Sequence, residues 1–452
     1  MESPRTDELE ERLVTRSTSI SPPSLRTFLD AASAPRTVWS DPDGATVVAS
    51  GAAATLTATG ENRFDAIQTG AEELFATGNV DVSADPARPR LFGGFAFHAS
   101  GGEESPWDAF PGARFVLPRL QLTRTDDGAW LTVNAVGPDA DASVVADRLE
   151  TERDRIESLP DPGPVAGPPG VRSRTRTTSR EAWRESVTSA VDRIRTGELT
   201  KVVLAQALET TLSGTLSPPD VLSRLGDRYP DCYRFLVEPP TGGVSFFGAT
   251  PERLVARDGR TVRTGALAGT TGRGDTAEED DWLAEELLDD EKNVHEHELV
   301  ADAIREQLST VAASVTTGER RVRRLATVQH LFTPISADLA TDEHVLSLVE
   351  ALHPTPAVGG LPPDRALATI RETEPFDRGW YAAPVGWFDA TGDGDFAVAL
   401  RSAVASGDTA TLYAGVGIVA DSDPDREWDE VQLKYRPILD ELERDERESD
   451  DE

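Results

Sequence analysis

Residues 294–300 read VHEHELV and follow a lysine in the run DDEKNVHEHELV, so two histidines and two glutamates fall within four positions. The cluster suggests a metal site. The surrounding pattern predicts a helix beginning near Ala277, on which side chains meet at spacings of three and four. A zinc-binding helix would need its histidines four apart on one face, whereas His295 and His297 are two apart. Zinc is therefore a poor fit, and a solvated acidic face is the simplest account of any single glutamate here. Glu296 differs, because Leu299 and Val300 one turn on put it near the buried side. A second acidic stretch, DREWDEVQLKY, carries Glu427, Glu430 and Lys434 one turn apart. Glu296 on one helix and Glu430 on another would make a two-carboxylate site for Mg²⁺, which prefers a few carboxylates together with substrate oxygens. Lys434 would stand beside it for an anionic substrate.

Lysine is scarce enough here to be informative. Only Lys201, Lys292 and Lys434 occur, and the other 42 of the 45 basic residues are arginines, against 80 acidic residues and a net charge of −35. That balance argues against nucleic-acid binding, which needs clustered cations, and against an anionic membrane surface. An acidic, lysine-poor surface suits concentrated salt, where repulsion is screened, although an arginine-biased codon usage would have a similar effect. The single cysteine, Cys232, excludes an internal disulfide and reads as a buried structural thiol. The charged start MESPRTDELEERL has no apolar leader core, and no apolar run approaches the ~20 residues that span a bilayer. A cytoplasmic location is expected.

The elements that must position these residues are legible as a pattern. LPDPGPVAGPPGVR, residues 159–172, is a Pro/Gly-rich loop between two regions. Before it, RLFGGFAFHA, ARFVLPRLQLTR and AWLTVNAVG read as antiparallel strands. After it, Thr178 and Glu181 form a capping box for a helix that Gly197 stops, and TKVVLAQALE is a strand with Lys201 at its entry. Further strands, VSFFGAT, RTVRTGALAGT, YAAPVGWFD, DFAVALRSAV and ATLYAGVGIV, are separated by helical patterns at 277–310 and 424–445. The fold class is α+β: large antiparallel sheets in a two-layer sandwich with helices packed outside.

From about Thr178 to Leu439 the chain resembles the chorismate-utilising enzymes, which include isochorismate, salicylate, anthranilate and aminodeoxychorismate synthases. The resemblance rests on TKVVLAQ, GATPERL, GALAGT, EKNVHEHELV, LHPTPAVGG, EPFDRGWYAAPVGW, ALRSA, YAGVGIV and EWDEVQLK in the family's order. It implies an N-terminal variable half at 1–158, the linker loop at 159–172, a chorismate-binding region at 173–440 and an acidic tail at 441–452. It also implies Mg²⁺ on Glu296 and Glu430, with Glu427 behind them and Asn293 where relatives carry another outer carboxylate, so His295, His297 and Glu298 are not ligands. The enolpyruvyl carboxylate of chorismate is expected at Arg401, the amides around Gly415 and Gly417, and Lys434.

Members differ in their nucleophile. The resemblance makes Lys201 the base that activates water and Glu252 the acid that protonates the departing 4-hydroxyl. Ala268 stands where aminodeoxychorismate synthases carry a nucleophilic lysine, and Ala357 with Val358 replaces the Thr-Val pair of ammonia users. Thr270 and His330 are further pocket candidates, and Lys292 is expected in an orienting ion pair. The activity implied is isochorismate synthesis, with salicylate synthesis as the alternative and menaquinone as the more common destination. Anthranilate synthesis and non-catalytic binding of chorismate or metal fit these residues less well. Water needs no ammonia-supplying amidotransferase subunit, and a monomer is expected.

Overall fold

The structure is a computed structural model and describes residues 12–99, 105–137 and 140–444. Most of the acidic segment drawn from 441 lies outside the described residues. Glu441 and Leu442 are buried, and Arg224 holds Glu441 at 2.6 Å.

All strand pairs are antiparallel except Leu13–Ser19 with Asn79–Asp81. One run of hydrogen-bonded neighbours begins at Lys201–Leu212 and passes through Thr409–Ile418, Ser402–Ser406, Val244–Thr250, Tyr233–Glu238, Arg36–Ser40 and Thr46–Ala58 to Ala113–Thr125. A second run leaves Ala113–Thr125 through Arg90–Phe95, Pro384–Asp389, Gly394–Val398, Arg253–Asp258 and Thr261–Gly272 to Val328–Leu339. Strands from before the linker thus pair directly with strands after it, and the α+β expectation holds. Aromatic rings fill the interior, with Trp107 5.2 Å from Phe246 and Phe110 5.4 Å from Trp380.

The chain crosses between the two runs at two adjoining places, Thr250–Glu252 and Val398–Arg401. The crossings are tied together: Thr250 Oγ1 donates to the Val398 carbonyl at 2.6 Å, Val398 N–H to that of Glu252 at 3.0 Å, and Ala249 N–H to that of Arg401 at 3.1 Å. Arg401 has φ of 48°, a left-handed conformation uncommon for a side-chain-bearing residue. Two residues expected to do chemistry therefore sit at tied crossings whose backbone direction is fixed from both sides.

Three local expectations need correction. The helix from Ala277 is not continuous: it ends at Asp289, and Asp290 caps a new helix, Glu291–Ser309, by accepting from Asn293 N–H at 2.7 Å. The C-terminal helix stops at Leu439 rather than 445. Helix Arg180–Arg195 is capped by Ser179, which accepts from Ala182 N–H, and not by Thr178. At the two helix starts the polar residue that satisfies an orphan amide decided the boundary, which composition alone leaves open by a residue or more.

Candidate active site

Helix Glu291–Ser309 buries Glu296, His297, Val300, Ile304 and Leu308, a stripe at helical spacing that packs on strand Thr261–Gly272. His297 belongs to this packing, with Nε2 2.7 Å from Thr333 Oγ1 and Nδ1 3.3 Å from the Ala268 carbonyl. His295 and Glu298 are exposed. The C-terminal helix Pro424–Leu439 packs on strand Thr409–Ile418 and buries Glu427.

These elements line a cleft, about 700 Å³ of space counted out into open solvent, whose lining includes Glu252, Thr270, Glu296, Arg401, Glu430 and Lys434. Ala268, Ala357, Val358, His330, Gly415 and Gly417 line it as well. Lys201 lies just behind this surface, 1% exposed, with Nζ 2.9 Å from Glu296 Oε1. Gly417 makes that approach possible: a Cβ there would stand 2.2 Å from Glu296 Oε1 and 2.8 Å from Lys201 Cε. Strand Thr261–Gly272 bulges between Ala268 and Thr270, and Gly269, at φ of 76°, lies against Asn293. Such a bulge re-aims the side chains on either side of it.

Each of the three lysines pairs with one of the three glutamates. Lys201 meets Glu296, Lys434 meets Glu430 at 2.7 Å, and Lys292 meets Glu427 at 2.8 Å. Lys434 also donates to the Gly415 carbonyl at 3.0 Å. Burial works against ionised Glu430, but Lys434, Lys292 and the Thr270 hydroxyl outweigh it and hold its carboxyl below the usual range. Burial and the charge of Glu430 instead raise Glu427, against the pull of Lys292. Glu252 has no carboxylate-pairing cation at contact distance among the described residues. Burial pushes its carboxyl up to about 7, only partly opposed by Lys201 and Lys434.

Arg401 donates to His330 Nε2 at 3.4 Å and to the Lys434 carbonyl at 3.3 Å. Because arginine can only donate, Nε2 is the acceptor and Nδ1 carries the proton, 3.1 Å from Thr270 Oγ1. Burial, with Arg401 and Lys434 nearby, keeps His330 neutral by lowering it well below the usual histidine range.

The donor set suits a hard divalent cation. Glu296 and Glu430 offer carboxylate oxygens to one cavity from separate helices, leaving room for substrate oxygens and water. No group of three or more His, Cys, Asp or Glu side chains encloses a metal position among the described residues.

The chain matches the chorismate binding enzyme family over residues 3–443. It belongs to that family. The isochorismate synthase MenF of Bacillus subtilis is 37% identical over 416 residues, covering 89% of this chain and 87% of its own. The salicylate biosynthesis isochorismate synthase of Pseudomonas aeruginosa is 40% identical over 410 residues, covering 89% and 84%. Among solved structures, the menaquinone-specific isochorismate synthase MenF of Escherichia coli superposes with a TM-score of 0.79 at 28% identity over 97% of each chain. The family fold expected from the sequence is thereby established.

Within this chorismate-binding enzyme, two lining residues and one buried neighbour of Glu252 escaped the reading of single residue types. Tyr381 stacks on Tyr413 with ring centroids 5.2 Å apart, and burial pushes its hydroxyl up to about 12. Arg378 is buried and bonded to Glu374 at 2.6 Å. Thr355 is buried close to Glu252 and lowers its carboxyl slightly. All three fall in stretches that carried the resemblance, but nothing in their type or spacing distinguishes them from core residues.

Proposed function

We propose that this enzyme is an isochorismate synthase, adding water at C2 of chorismate with allylic loss of the 4-hydroxyl. The carrying observation is the geometry of one cavity lined by a buried carboxyl, Glu252, which burial raises to about 7 so that a large fraction keeps its proton near neutrality, together with Glu296 and Glu430. Relatives across almost the whole chain support that activity.

In this reading Lys201 takes a proton from the attacking water, while Glu252 gives its proton to the departing C4 oxygen, which leaves as water. The ring double bonds shift by one position, so no oxidant or reductant is involved. Arg401 supplies the planar donor pair that a carboxylate accepts in bidentate form. Strand Thr409–Ile418 has lost its neighbour Ser402–Ser406 beyond Tyr413. Its Gly415 carbonyl faces Lys434, and the Gly415 amide leaves the strand on that side too, available to the same anion. Glu296 and Glu430 would hold Mg²⁺, which neutralises the ring carboxylate when bound. Ala268 and Ala357 leave the pocket without the side chains that ammonia-using or lysine-using relatives place there. Menaquinone supply is the pathway we favour, and the acid-rich chain fits a salt-rich cytoplasm.

Chromatography and NMR of the product formed from chorismate with Mg²⁺ in molar KCl test the reading. Isochorismate at a stable equilibrium supports it. Salicylate with pyruvate, in excess of an enzyme-free control, or anthranilate formed only on adding ammonium, would replace it. Lys201→Ala should abolish turnover and leave Mg²⁺-dependent chorismate binding largely intact.

A further inference from the structure

Glu252 lines two cavities. Besides the one just described, it borders a second space of about 1200 Å³, reached past Asp43, Arg253 and Arg321. Pro251, Glu252 and Leu267 line both spaces and so form the wall between them. The wall is braced from the second side: Arg323 donates to the Pro251 carbonyl at 2.7 Å and to that of Asp231 at 2.6 Å. Arg253, the next residue, bonds to Tyr233 and is 3.0 Å from Asp43. Guanidinium and carboxylate groups so placed hold water, and a space this large has room for many molecules.

On the first side the side chains of Glu430 and Glu296 are 26% and 12% exposed, whereas Glu252 is 5% exposed as a residue. A substrate held between those carboxylates and Arg401 would cover Glu252 from that direction. The second space would then be the remaining water in reach of it.

We infer that the second cavity is the port through which Glu252 exchanges protons with solvent. The inference rests on Glu252 being the acid of the proposed reaction. In each forward turnover the Glu252 O–H bond breaks and its proton joins the departing C4 oxygen, so one water forms and the carboxylate remains. One proton must then enter from solvent, matching the one that the base gives up, before the next forward turnover. Until it enters, the enzyme is in the form suited to the reverse reaction. The port sets how fast that reset occurs while leaving the first encounter with chorismate untouched.

Arg321 stands exposed at the mouth, 5.5 Å from the Phe332 ring, and touches none of the proposed catalytic groups. Arg321→Trp fills the mouth, whereas Arg321→Ala removes the same charge and leaves the space open. A slowed reset lowers kcat but not kcat/KM, because kcat/KM starts from enzyme already in the correct protonation form. The expected result for Arg321→Trp is a kcat at least fivefold lower with kcat/KM unchanged and a larger solvent deuterium effect on kcat, while Arg321→Ala stays near the parent. Asp43→Phe, at another exposed lining position of the same space, repeats the test should Arg321→Trp not fold. An unchanged kcat with the mouth shown filled by crystallography overturns the port. An equal fall in kcat and kcat/KM, or Ala and Trp variants that behave alike, overturns it too. Failure of the parent enzyme to make isochorismate would instead sink the reading of Glu252 on which the port depends.

Discussion

Two positions have their consequences fixed by a single environment. The carboxyl of Glu252 is raised by burial to about 7, so it is a competent acid at neutral pH and loses that capacity as pH rises through 7. The kcat/KM profile should show an alkaline limb near that value, and Glu252→Gln should lower kcat by roughly 10²–10⁴-fold. Its stability effect has a definite sign. Between its ordinary value of 4.5 and about 7 the folded state binds more protons than the unfolded one, so this group makes stability fall as pH rises through that window. Glu252→Gln should therefore melt higher than the parent at pH 8 and show little difference at pH 4.5, a comparison made by calorimetry. Gly417 is constrained by space. With 2.2 Å between its added Cβ and Glu296 Oε1, Gly417→Ala should cost about 10²-fold or more in kcat, because it displaces the groups that meet there. Gly415→Ala should cost less, since its nearest neighbours stand at 3.1–3.3 Å.

Among the elements, the strand that carries Lys201 is held along one edge by a succession of unlike partners. Residues 200–203 bond to the chain at 359–361, and residues 208–212 pair with strand Val171–Arg176. Between them the buried Glu374–Arg378 pair fills the gap: Glu374 accepts from Ala205 N–H at 2.8 Å, and Arg378 donates to the Val203 carbonyl at 2.9 Å. Arg378 also reaches the Val358 carbonyl at 2.9 Å, joining the strand to the loop that carries Ala357. Removing one partner leaves the other charge buried and unpaired, so Arg378→Met should cost about 3–5 kcal/mol in denaturant unfolding. The double variant Arg378→Met/Glu374→Leu should recover part of that loss. The sequence motif EPFDRGWYAAPVGW contains both residues, yet their i, i+4 spacing reads equally well as a surface pair. Their role came from an edge that only pairing across the chain creates.

For the whole molecule, the net charge of −35 opposes compactness through self-repulsion. The screening length falls from ~10 Å at 0.1 M salt to ~3 Å at 1 M. The melting temperature should therefore rise steadily as KCl is raised over that range. A flat response would leave the lysine scarcity to codon usage. The same scarcity has a structural counterpart, since the three lysines are paired with Glu296, Glu427 and Glu430, three of the glutamates at the site. Arginine could replace lysine on the surface, but a compact ammonium one hydrogen bond from a carboxylate is not reproduced by a planar fork.

The family, the fold class and most of the residues that share the candidate cavity were legible in the sequence, because ordered motifs fix which groups are present and alternation fixes which elements carry them. Zinc was a poor fit on helical spacing alone, and His297 proved to be a core residue. Other features depended on tertiary contact. The break at Asp290 followed from which side chain satisfied a free amide. The coincidence of two sheet crossings at Glu252 and Arg401, the fit of Gly417 against Glu296, and the second cavity behind Glu252 involve residues far apart in the chain. Local pattern carries no information on such distances, so only the packed sheet decides them.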